Sequence, residues 1–252
     1  MYYQSEPEFL VQIRKSSFAV DKRIFIVCFK HDNFVKGLNN LDFSGTQSLN
    51  KTRFTEYLIR ENALDKNGFK EWIFCPGMLF NATDKWWGKQ GKRDKPHEGL
   101  DLCLYIDQQG KMRRLDEKIK IPVIYDGTVV GIVNDFLGKS VIIEHGLTNS
   151  DNNRLCTIYG HTNPHKNLQV GRMLKEGDII ATLADLRNSK VKTLSHLHIS
   201  LGWASKFISY DKLDWETIGA PNTLTLMDPL YVIGWHYRVL KRISSIPGLL
   251  YS

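Results

Sequence analysis

Ile121-Pro122-Val123-Ile124-Tyr125 is followed at once by Asp126 and then by Gly127-Thr128-Val129-Val130-Gly131-Ile132-Val133. Two short apolar runs rich in β-branched residues, broken at an Asp-Gly pair, read as two strands with a turn between them. The same grammar repeats outward. Ser140 to Glu144, Leu155 to Tyr159, Asp178 to Leu183 and Leu197 to Leu201 are short apolar runs, with turn signals such as Glu176-Gly177 between them. No long amphipathic helix interrupts the series from Trp72 onward, so the expected fold is mainly β, an antiparallel sheet or sandwich with a groove. Upstream, Arg23 to Phe29 reads as a strand, and Phe54, Tyr57 and Leu58 recur at helical spacing within a helix expected over Lys51 to Ala63. The domain organisation expected is a mixed α/β appendage over 1–70, a β domain over 71–235 and a basic tail over 236–252. Trp203 to Leu226 reads as a polar, mixed excursion.

The 252 residues are 42% hydrophobic and 24% charged, an ordinary composition for a globular chain. The net charge of +7 favours acidic partners without selecting one. Its densest run is Lys89, Lys92, Arg93 and Lys95, either a solvated loop or an electrostatic lip directly before His97. No recognised nucleic-acid motif accompanies the charge, and nucleic acid is not an expected partner. Cys28, Cys75, Cys103 and Cys156 are irregularly spaced and read as buried free thiols rather than a disulfide framework. Ile24 to Phe29 is far shorter than a membrane span and is not placed as a signal-peptide core, so neither a transmembrane segment nor an export signal is expected. The oligomeric state is not encoded in any pattern of the sequence.

Four separated fragments carry chemistry: His97-Glu98-Gly99-Leu100-Asp101, Tyr159-Gly160-His161, His196-Leu197-His198 and Met227-Asp228-Pro229. Two imidazoles and a carboxylate on zinc, a fourth position open to water and two further histidines nearby form a known hydrolytic arrangement, and these fragments can supply it. On a strand, His196 and His198 project from one face while Leu197 points into the core. His97 and Asp101 stand four apart, but Gly99 and the run after it favour a turn entering a strand over a helix. His161 follows a strand and opens a polar loop. His31, His145, His165 and His236 have no partner pattern and read as structural or exposed, although His145, in Glu-His-Gly, could lie near the site. Gly138-Lys139-Ser140 imitates the end of a phosphate-binding loop, but Val133 stands where the first glycine should be.

In order and local wording these fragments resemble the LytM/lysostaphin-type zinc endopeptidases. The resemblance runs from His97 to Leu230 and includes Val170 to Ala181, similar to the family's Val-x-x-Gly-x-x-hydrophobic-x-x-Gly-Asp element. It implies zinc as cofactor, with His97, Asp101 and His198 as its ligands, His161 and His196 as catalytic groups, and a β-sheet with the zinc on the floor of a groove. It further implies peptidoglycan stem or cross-bridge peptides as substrate, and a cell-envelope or extracellular setting. His196 is favoured as the base because it shares a strand face with His198. The sequence departs from the pattern in three places. Ala184 to Ser195 replaces a Gly-Ser-Thr-rich approach to the His-x-His, Trp86 and Trp87 stand where some members place a tyrosine, and the span from His198 to Asp228 is long. The rival reading is a non-catalytic relative whose groove binds cell wall or activates another wall hydrolase. Such a relative is expected to lack some of the five site residues, and this chain lacks none.

Overall fold

A computed structural model describes residues 49–88, 91–186, 193–210, 213, 215, 217, 218, 220 and 223–240. The strand expected at Arg23 to Phe29, with Cys28, His31, Lys89 and the tail beyond residue 240, lies outside them. The first element, α1 (Phe54–Glu61), is shorter than the helix expected over Lys51 to Ala63. It ends before Ala63, whose φ of 51° is left-handed and incompatible with helix continuation. Phe54 and Leu58 on one face are fully buried. A helix of two turns has little stability alone, so this packing holds it.

Two sheets follow. In the smaller, β1 (Phe69–Phe74) pairs antiparallel with β3 (Leu104–Asp107), which pairs with β4 (Met112–Arg114). The far edge of β1 takes β13 (Tyr237–Val239) in parallel. The larger sheet contains β2 (Leu100–Leu102), β5 (Lys120–Pro122), β6 (Gly127–Asn134), β7 (Lys139–Thr148), β8 (Arg154–Pro164), β9 (Met173–Leu174), β10 (Ile179–Leu183), β11 (Leu197–Ala204) and β12 (Leu224–Met227). Its main path runs β12-β11-β8-β7-β6-β9, with β10 between β5 and β8, and β2 against β11. The fold is mainly β with antiparallel sheets, as the alternation of runs and turns leads one to expect. The two runs around Asp126 do not pair with each other. β5 ends at Pro122 and joins β10, while β6 joins β7 and β9.

The main core lies on one face of the larger sheet, where Leu100, Val141, Ile143, Tyr159, Leu197, Ile199 and Leu201 are fully buried. Phe54, Leu58 and Trp72 join this core, as do the half-buried Tyr237 and Leu240, so its packing runs across both residue 70 and residue 235. The opposite face is not left to solvent. Ile142, Cys156 and Ile158 project there, and Leu213 and Ile218 of the excursion cover them in a second cluster. Every residue of β11 is therefore buried. Cys75, Cys103 and Cys156 are buried free thiols, as expected. No helix among the described residues is long and apolar enough to cross a membrane.

Candidate metal centre

Strand register brings the separated fragments together. Near its start β11 runs between β2 and β8, and His198 is opposite Asp101 on one side and Gly160 on the other. Directly paired residues project from the same face, so His198 and Asp101 stand side by side and His161 follows immediately beyond Gly160. His97 arrives from the loop before β2. Gly99 makes that approach possible, because a Cβ there would collide with the Ile199 carbonyl oxygen and lie 2.7 Å from His198 Nε2. Gly160 is constrained in a similar way, since a side chain would meet the Trp215 ring at 2.8 Å.

Three donor atoms converge. His97 Nε2, Asp101 Oδ1 and His198 Nδ1 form a triangle with sides of 3.2, 2.9 and 3.1 Å. Ligands at zinc–nitrogen and zinc–oxygen distances in a tetrahedron are separated by about 3.3 Å, close to this spacing. The outward contacts fit the same purpose. His97 Nδ1 is 2.9 Å from the Leu79 carbonyl oxygen, which can only accept, so Nδ1 carries the proton and the Nε2 lone pair points inward. Ser200 Oγ, 2.9 Å from His198 Nε2, can accept a hydrogen bond from Nε2–H, which leaves the Nδ1 lone pair free in the same manner. Three electron pairs directed at one point in a buried pocket call for a cation. Zinc fits this donor set, with His97, Asp101 and His198 as the residues that would hold it.

The remaining oxygen of Asp101 is held from behind. Oδ2 accepts from the Trp86 indole N–H at 2.6 Å and lies 3.8 Å from Arg93. Burial would raise the Asp101 pKa, but the neighbouring His97 and His196 and the hydrogen bond with His198 outweigh it and hold the carboxylate well below its usual range. Burial brings His198 down to about 3 and His196 to about 4, which keeps both imidazoles neutral. Neutral rings and an ionised carboxylate are the forms a metal requires.

The other two histidines flank this cluster. His196 Nδ1 is 2.7 Å from the Leu194 carbonyl oxygen and therefore donates, while its Nε2 is 3.9 Å from Asp101 Oδ1. The rings of His161 and His196 have centroids 4.8 Å apart. His161 adopts a left-handed backbone with φ of 60°, an unusual state for a residue other than glycine that tends to occur at functional sites. Its amide N–H donates to Asp135 Oδ2 at 2.9 Å. All five residues named from the sequence line one cleft of about 200 Å3, walled by Trp87, Phe136 and Trp215.

Asp135 and Trp215 contribute to the site without any local sequence signal, while Trp86 and Arg93 are visible in the sequence but not in the roles the structure gives them. Arg93 belongs to the basic run, yet it turns inward. Its guanidinium lies 4.3 Å from the Trp87 ring centroid and bonds the Gly77 carbonyl oxygen at 3.0 Å, whereas Lys92 pairs with Asp84 at the surface. Trp215 comes from the excursion and sits 4.7 Å, ring to ring, from His198. His145 is buried away from the cluster, between the Asp126 carbonyl and Thr157, and His165 and His236 are exposed.

The sequence model described as "Peptidase family M23" matches residues 107–209. That segment is similar to peptidase family M23 over somewhat less than half of the chain. It contains His161, His196 and His198, while His97 and Asp101 lie just ahead of it. Among similar solved structures are CbpA from L. salivarius REN, at 15% identity over 63% of this chain and 90% of that one, with a TM-score of 0.36. The solution structure of lysostaphin is 19% identical over 57% of this chain, with a TM-score of 0.34, and the match spans about half of that chain, 51%. The catalytic domain of the prophage-encoded M23 protein EnpA from Enterococcus faecalis, solved as a mutant, is 22% identical over 54% of this chain and 87% of that one, with a TM-score of 0.32. No curated protein matches the sequence.

Proposed function

We propose that the protein is a zinc-dependent endopeptidase that hydrolyses peptide bonds in peptidoglycan stem or cross-bridge peptides, acting at the cell envelope or outside it. The observation that carries this reading is the inward turn of three electron pairs at His97, Asp101 and His198, beside two further histidines in one cleft. The match to a peptidase family supports it. Zinc in this position supplies Lewis acidity to a peptide carbonyl and makes water acidic near neutral pH.

The chain's own residues do the rest. His196 Nε2 is free to take a proton because its Nδ1 proton is committed to Leu194, and it can return that proton to the departing amine. His161, whose ring packs against that of His196, donates to the carbonyl oxygen as negative charge develops there. Trp87, Phe136 and Trp215 wall the cleft with apolar surface that limits water beside the reacting groups.

Elemental analysis and product assays test the assignment together. Replacing His97, Asp101 or His198 singly by Ala is expected to remove most of the zinc. His161→Ala and His196→Ala are expected to keep zinc and lose at least about a hundredfold in turnover. Purified sacculi incubated with the zinc-loaded full chain should release new amino groups and no new reducing sugar ends, and a chelator should abolish the release. Full zinc occupancy in all three ligand variants would overturn the metal assignment. Binding to sacculi without amine release across several cross-bridge types would instead favour a non-catalytic wall-binding role.

A further inference from the structure

Asp135 is not part of any motif, yet its carboxylate is the most heavily bonded group around the cleft. Its side chain is fully buried. Oδ1 accepts the backbone N–H groups of Leu137 at 2.8 Å and Gly138 at 2.7 Å. Oδ2 accepts the Ser140 hydroxyl at 2.9 Å and the backbone N–H of His161 at 2.9 Å. His161 Nδ1 lies 3.3 Å from that same Oδ2, slightly out of line for a full hydrogen bond, and finds no other partner among the described residues although it is buried. One carboxylate therefore bonds the backbone and faces the ring nitrogen of the one site histidine with a left-handed backbone.

We propose that Asp135 is the positioning residue of His161, an inference that rests on the catalytic reading of His161 given above. Two things need positioning. The left-handed backbone at His161 is sparsely populated for residues other than glycine and persists only if its surroundings fix it. The Asp135 bond to the His161 amide on one side, and the Ala184 amide bond to the His161 carbonyl at 2.9 Å on the other, provide that fixing. The ring also needs a defined tautomer. A buried carboxylate beside Nδ1 can only accept, so it keeps a proton on Nδ1 in either charge state of the ring. Only Nε2, on the far side of the ring, then exchanges hydrogen bonds with a reacting group. A small rotation of the imidazole brings Nδ1–H onto Oδ2 without disturbing the four bonds that anchor the carboxylate. The two flanking histidines thus differ in what lies behind Nδ1, a carbonyl for His196 and a carboxylate for His161.

Asp135→Asn tests this with little change of shape. Its carbonyl oxygen can still accept from Leu137 and Gly138, but its amide group faces His161 with donors where acceptors are needed. Long-range proton–nitrogen correlation spectra of the zinc-loaded full chain should show His161 protonated on Nδ1. In Asp135→Asn the proton should move to Nε2 or divide between the two nitrogens. With sacculi as substrate, kcat should fall about 10²- to 10⁴-fold with KM nearly constant and zinc content unchanged, the pattern expected when a tautomer-fixing carboxylate is lost. Finding Nε2–H in the unmodified protein would overturn the proposal whether or not the variant folds. Equal turnover in a folded Asp135→Asn variant would overturn it while leaving the peptidase reading intact. If the unmodified protein released no amine, the tautomer measurement would still decide the role of Asp135.

Discussion

Trp86 donates to the Asp101 oxygen that faces away from the histidines, so it sets the angle at which the other oxygen meets them. Outer partners of this kind are commonly worth 10- to 100-fold in metal affinity. Trp86→Phe keeps most of the bulk and deletes the N–H. Competition with a chromogenic chelator should show zinc held about 10- to 100-fold less tightly, and an unchanged affinity would mean that Arg93 alone orients the carboxylate. His145 makes a separate contribution, to pH dependence. Burial lowers its pKa from 6.5 to about 4, and its contacts suit the neutral ring, with Nδ1 donating to the Asp126 carbonyl and Nε2 accepting from Thr157. The unfolded chain takes up this proton as pH falls through 6.5, while the folded chain resists until about 4. Stability is therefore full above pH 6.5 and declines between 6.5 and 4, by about 3 kcal/mol at the 1.4 kcal/mol that each pKa unit represents. Denaturant unfolding at pH 7, 5.5 and 4, with chelator present throughout, should show a smaller decline in His145→Gln. Parallel curves for the two proteins would rule this source out.

At the level of elements, the site depends on how closely β2 approaches β11, and Gly99 controls that approach. Gly99→Ala should push the strands apart, cost about 1–3 kcal/mol or more through overpacking and weaken zinc binding as well. Thermal melting with and without zinc checks both effects, and a variant that melts and binds as the parent does would show that β2 can shift freely. The same elements explain what is legible in the sequence. His97 with Asp101, and His196 with His198, are readable because each pair lies within five residues and a turn or pleat fixes its geometry. Asp135 and Trp215 reach the site across 26 residues to His161 and 17 residues from His198, a separation with no period to detect. Trp86 stands 15 residues from Asp101 and reads only as a missing tyrosine. The excursion reads as polar and mixed because its apolar residues follow neither a strand nor a helix period, yet Leu213 and Ile218 are buried against the outer face of β7 and β8. Strand ends differ from expectation for a related reason. The run from Leu155 to Tyr159 continues as a strand to Pro164 because β10 supplies backbone partners for polar residues as readily as for apolar ones.

For the molecule as a whole, the three proposed ligands lie between residues 97 and 198, so a bound ion would close a loop of about a hundred residues and bind the folded chain far better than the unfolded one. Such linkage adds about 4 kcal/mol when free metal is a thousand times its dissociation constant. Scanning calorimetry should therefore record a lower melting temperature after chelation and recovery on adding zinc, and identical melts would argue against a site assembled by folding. The placement of Trp215 and Trp86 against this cluster gives the protein a built-in optical reporter. Two of its six indoles touch residues of the proposed site, one ring against His198 and one N–H on Asp101. Cobalt(II), which accepts similar nitrogen and oxygen ligands, has a partly filled d shell that drains an excited indole at such short range, whereas zinc does not. Titrating the full chain with cobalt should dim its ultraviolet emission in proportion to occupancy, and zinc should restore the light, so filling of the site can be followed without any substrate.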